Sequence, residues 1–169
     1  VHFFDKDSST PIWSYDTEDN VRSIAISPDG KNIAAGTDGD KVYFFDTDSS
    51  TPLWSDGVSD IVRSVAISAD GEYIAAVSVG SSTSSNLYLY HKSSGSSLWN
   101  YDSERVREVS ISADGEYIAV CALGGQVILF DKDSSTPIWT KNIDGVAYSV
   151  DISADGKYLA AGNKLEEVF

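Results

Sequence analysis

The chain has 169 residues and 12 Lys plus Arg against 26 Asp plus Glu, a net charge of −14. That field repels phosphate backbones and anionic lipid, so nucleic acid is excluded as an expected partner; no apolar run approaches a membrane span, which excludes direct membrane insertion. Hydrophobic residues make up 41%, enough for a sizeable core, and the single cysteine, Cys121, leaves no internal disulfide.

Residues 1–15 open on VHFFD, a strand, then pass through DKDSST into the short strand PIW. Residues 16–55 hold a complete unit. Val21–Ser27 is rich in β-branched residues and alternates, with Arg22, Ile24 and Ile26 on one face and Val21, Ser23, Ala25 and Ser27 on the other. Pro28-Asp29-Gly30 makes a turn, NIAAGT a second strand and Asp38-Gly39 another turn. KVYFFD is the third strand and, after DTDSST, PLWS the fourth.

Residues 56–101 repeat the pattern with a longer, serine-rich link at Ser78–Asn86, expected to be flexible, and with YHKSSGSSLW in place of FDTDSSTPLW. Residues 102–141 repeat it again. Residues 142–169 hold a first and second strand over Ala147–Gly162, with KLEEVF trailing. Cys121 falls at the register of Gly36, Val77 and Gly162, which predicts a small buried side chain.

The units keep step at two anchors, Trp13, Trp54, Trp99 and Trp139, and Asp29, Asp70, Asp114 and Asp155. A period of about forty residues with four short strands per unit predicts an all-β propeller of four-stranded antiparallel blades. Each blade has apolar faces that need a neighbour on both sides, so the core is expected between blades. The chain reads as one propeller domain or fragment over 1–169, three complete blades and two half-blades, expected to belong to a larger ring or to a ring shared by two chains.

Two resemblances cover nearly the whole chain. VRSVAISADGEYIAA resembles the opening half of a WD repeat. The aspartate followed eight residues later by tryptophan (Asp5 and Trp13, Asp46 and Trp54, Asp131 and Trp139) is similar to the tryptophan-docking motif of PQQ-like propellers, A-x-D-x-x-T-G-x-x-x-W; Ser94-Gly95 with Trp99 keeps its glycine in the third unit. The resemblance implies that Trp13, Trp54, Trp99 and Trp139 dock adjacent blades. Phe4-Asp5, Phe45-Asp46, Tyr90-His91 and Phe130-Asp131 stand where WD repeats have their dipeptide, and the glycine–histidine pair is absent, so the tetrad of that family is not expected. The hybrid is similar to archaeal and bacterial surface propellers, which implies an extracellular or cell-surface setting.

Quinoprotein dehydrogenases of the PQQ-like group use an adjacent cysteine pair and a carboxylate-held calcium. One cysteine, and acids that recur from blade to blade, predict no enzyme, no cofactor and no catalytic residue here. His2 and His91 lie on equivalent third strands, neither next to a serine in a sharp strand-to-helix turn. Asp5 with Asp7, Asp46 with Asp48, and Asp131 with Asp133 open D-x-D-x-S loops, weak candidates for calcium, but the glycine and glutamate of an EF-hand are missing and turn capping accounts for them. Arg22, Arg63 and Arg107 recur on the innermost strand with Tyr148 at the fourth register. They are candidate contacts for an anion or partner, or else pair with Asp19, Asp60 and Glu104. The expected function is a non-catalytic scaffold or protein-interaction propeller whose partners are other proteins or copies of itself. A sugar- or small-ligand-binding propeller is the alternative.

Overall fold

A computed structural model describes residues 1–80 and 84–164, Ser84 and Glu104 by backbone alone. Every regular element among the described residues is a strand. β1 (His2–Phe4) and β2 (Pro11–Ser14) form a two-stranded sheet. β3 (Val21–Ile26), β4 (Asn32–Thr37), β5 (Lys41–Asp46) and β6 (Trp54–Gly57) form the first full blade. β7 (Ile61–Ile67), β8 (Tyr73–Val79), β9 (Ser84–His91) and β10 (Trp99–Glu104) form the second. β11 (Val106–Ile111), β12 (Tyr117–Ala122), β13 (Gln126–Asp131) and β14 (Trp139–Asn142) form the third, and β15 (Val146–Ile152) with β16 (Leu159–Lys164) a second two-stranded sheet. All pairings are antiparallel meanders, the arrangement of propeller blades.

The outer strand of the first full blade starts later than PLWS suggests. Pro52 has no N–H for a ladder, Leu53 makes a single bond to the Phe44 carbonyl at 2.8 Å, and regular pairing begins at Trp54. Residues 81–83 of the serine-rich link lie outside the described residues.

The turn between the first two strands of each unit closes through one repeated device. Ser27 Oγ donates to Asp29 Oδ1 at 2.6 Å and accepts the Asn32 amide at 3.0 Å, while Asp29 Oδ1 also takes the Lys31 amide. Ser68 with Asp70, Ser112 with Asp114, and Ser153 with Asp155 repeat it. The serine hydroxyl, first among the causes, holds the Asp29, Asp114 and Asp155 carboxyls below their ordinary range. Glycine ends the turn because the backbone is left-handed there: φ is +71° at Gly115, and a Cβ would also lie 2.4 Å from Tyr73 Cδ2 of the preceding blade.

The core is divided among the seams. Val42, Phe44, Val62, Ile74 and Tyr90 fill the space between the first and second full blades. Leu87, Leu89, Val109, Ile118 and Phe130 fill that between the second and third. Smaller clusters bind each half-blade to its neighbour. Cys121 is fully buried in the last seam, where desolvation pushes its thiol up to about 11. Adjacent turns also bond directly: the Ala69 amide donates to the Ala113 carbonyl at 2.9 Å, and the Ala113 amide to the Ala154 carbonyl at 3.0 Å. Pro28 stands at the same register in the first full blade and has no N–H to give.

Candidate functional site

Three tryptophans cross a seam in the same way. Trp13, Trp54 and Trp99 donate their indole N–H to the carbonyls of Thr47, Lys92 and Lys132 at 2.8, 2.9 and 2.6 Å. Their rings lie against Phe45, Tyr90 and Phe130 of the next unit, with centroids 5.6, 5.3 and 5.7 Å apart. The aromatic residue of the Phe45-Asp46, Tyr90-His91 and Phe130-Asp131 pairs is thus the floor under the preceding tryptophan, and the residue after each of these pairs supplies the acceptor. Trp139 on β14 is 39% exposed and has no such acceptor among the described residues.

The D-x-D-x-S segments are closed on themselves. Oδ1 of Asp5, Asp46 and Asp131 accepts the amide of Asp7, Asp48 and Asp133 respectively at 2.8, 2.9 and 2.9 Å. His91 Nδ1 takes the Ser93 amide at 3.3 Å in the same place. Among the described residues, no group of three or more His, Cys, Asp or Glu is gathered as a metal site.

The arginines occupy a more unusual position. The pairing of each innermost strand slips by one residue, between Val21 and Ser23, Val62 and Ser64, Val106 and Glu108, and Ala147 and Ser149. The extra residue of each β-bulge is Arg22, Arg63, Arg107 or Tyr148. The alternation expected over Val21–Ser27 therefore breaks at Arg22, because a bulge re-aims the side chain it carries. All four bulge residues line one cavity of about 390 Å³, together with Ser23, Ser64 and Glu108.

The residue after each of the three arginine bulges ties blades together. Ser23 Oγ accepts the Val65 amide at 3.1 Å, Ser64 Oγ the Val109 amide at 3.3 Å, and Glu108 Oε2 the Val150 amide at 2.9 Å. These contacts are hidden in the sequence, where V-R-S, V-R-S, V-R-E and A-Y-S read as ordinary strand alternation.

The three guanidiniums differ in their company. Arg22 pairs with Asp38, not with Asp19 as the repeat suggests. Arg107 lies over the Tyr148 ring, 4.3 Å from its centroid. Arg63 has no ion-pair partner among the described residues, Asp60 included; burial first, then the charges of Arg107 and Arg22, push its pKa below the ordinary arginine value. Asp19 and Asp60 lie against Gly39 and Gly80 instead, where a Cβ on either glycine would collide with the carboxylate. The Glu104 side chain lies outside the described residues.

Residues 1–155 match the family model described as outer membrane protein assembly factor BamB. No curated protein matches the chain.

Proposed function

The chain belongs to the PQQ-like β-propeller repeat family, and from that premise we propose that it is a non-catalytic propeller, a scaffold for other proteins or for copies of itself, working outside the cell or at its surface. The observation that carries this reading is the internal commitment of its repeated polar groups. The turn aspartates hold backbone amides, and Trp13, Trp54 and Trp99 hold carbonyls across seams. A catalytic pocket needs different reactive groups converging from different blades. The description of the matching family, an assembly factor, names work done on other proteins and supports the same reading.

Two measurements test it. Supplied with pyrroloquinoline quinone, calcium and an alcohol, with a dye as electron acceptor, the chain is expected to show no turnover. Photo-crosslinkers placed on exposed hairpins in the source cell are expected to trap another protein, with the chain accessible to protease on intact cells. Quinone-dependent turnover would remove the scaffold reading. Small-ligand binding is the second reading, favoured by the arginine-lined cavity alone.

A further inference from the structure

We infer that the bulge cavity binds a single carboxylate group, held by Arg63 with the hydroxyls of Ser23 and Ser64 beside it. This goes beyond the scaffold reading and does not depend on it.

Comparison of the units shows why Arg63 is available. Asp38, the partner of Arg22, stands at the end of the second strand, one residue past Thr37. The same place is Val79 in the next unit and Leu123 in the one after. Those units keep the bulged arginine without the acid that neutralises it. Arg107 turns to the Tyr148 ring, leaving Arg63 facing the cavity between two other guanidiniums.

The hydroxyls add direction. Ser23 and Ser64 each accept an amide from the next blade, and neither donates to a protein group among the described residues. Their own protons are left to point at an acceptor. Three guanidiniums against the carboxylates of Asp38 and Glu108 leave one positive charge over, within a chain of net charge −14.

That balance selects the ligand. A guanidinium fork meets either carboxylate or phosphate in two parallel hydrogen bonds. A phosphate dianion would exceed the local charge and meet repulsion from Glu108, whose Oε2 is fixed by the Val150 amide. A monoanionic group balances the cavity. It can come from a small free acid or from an acidic side chain of a protein, and the chemistry at Arg63 is the same.

The test is a titration of the full chain followed at the arginine Nε–Hε resonances by NMR, with sodium acetate, the capped peptide acetyl-Gly-Glu-Gly-amide and sodium phosphate as probes. Acetate or the peptide should move the Arg63 resonance saturably and bind more tightly than phosphate. Which of the two binds better identifies the source of the carboxylate. Arg63→Gln should weaken binding by about tenfold or more, the size of a lost charged hydrogen-bond pair. Asp38→Asn, which releases Arg22 into the cavity, should tighten it several-fold. Binding unaffected by Arg63→Gln, phosphate binding as well as the carboxylates, or no saturable shift from either carboxylate would each overturn the assignment.

Discussion

Replacing Trp54 by alanine removes an indole that lies between Phe44, 5.2 Å away by ring centroids, and Tyr90, 5.3 Å away across the seam, and that donates to the Lys92 carbonyl at 2.9 Å. Each aromatic pair contributes about 0.5–1.5 kcal/mol beyond area burial. The hydrogen bond adds about 1 kcal/mol. Because Trp54 is half-buried, the loss should fall near the lower end of the range of about 3–5 kcal/mol seen for fully buried Trp-to-Ala changes. That is a large share of the roughly 5–15 kcal/mol holding an ordinary domain together. Trp139→Ala provides the internal comparison: this indole is 39% exposed and has no carbonyl partner among the described residues, so about 1 kcal/mol or less is expected. Trp54→Phe keeps a ring on the Tyr90 floor but leaves the Lys92 carbonyl without its donor, and should fall between the two. Urea denaturation followed by far-ultraviolet circular dichroism measures all three. Equal midpoint shifts for Trp54→Ala and Trp139→Ala would refute the account, because it assigns the energy to the contact across the seam.

Gly115→Ala should cost about 1–3 kcal/mol through its left-handed backbone alone, with the clash against Tyr73 added; Gly124→Ala, with nothing within 4 Å of the new methyl, should leave the melting temperature nearly unchanged. Asp29, Asp114 and Asp155 have lowered folded-state values, so their contribution is present above the unfolded carboxylate range and disappears as pH falls through the folded values. Urea midpoints should therefore drop below about pH 4, and less steeply in Ser112→Ala, which removes the main stabiliser of the Asp114 carboxylate. Since Asp5, Asp46 and Asp131 already hold backbone amides, thermal unfolding in excess chelator and in added calcium should coincide; a rise of several degrees with the metal would show a site in the native state.

The blade plan is legible because it repeats. Serine, aspartate and glycine at fixed places in SxDG fix the turn, and a tryptophan at a constant distance from D-x-D-x-S fixes the outer strand. The seam contacts are less legible, since each joins residues from different units. Phe45, Tyr90 and Phe130 are visible as recurring aromatics, yet nothing in the string places the preceding tryptophan on them. The bulges are hidden for a different reason. Val-Arg-Ser-Ile-Ala-Ile alternates cleanly as text, and an inserted residue leaves no compositional trace when it is itself polar. Repetition even misleads at Arg22: Asp19 and Asp60 recur and so look like partners, whereas the true partner Asp38 occurs in one unit only.

Pro28 gives the stack a direction. Amides pass from turn to turn, Ala69 to Ala113 and Ala113 to Ala154, and the relay begins only at Ala69 because a ring nitrogen stands one step earlier. The seam between the second and third full blades carries a turn bond, a tryptophan bond and a serine bond over the larger apolar cluster; the seam before it lacks the first, and the seam after it, although Ser110 adds bonds with Asp151 and Ile152, has a smaller cluster and no tryptophan bond among the described residues. In an array whose stability is a sum over neighbours, the best-tied joint governs where unravelling stops. Hydrogen exchange should accordingly be slowest at the Ala69 and Val109 amides, which bond across that seam, and become faster toward both ends, so that the chain comes apart like a zip opened from two sides toward a stitched centre.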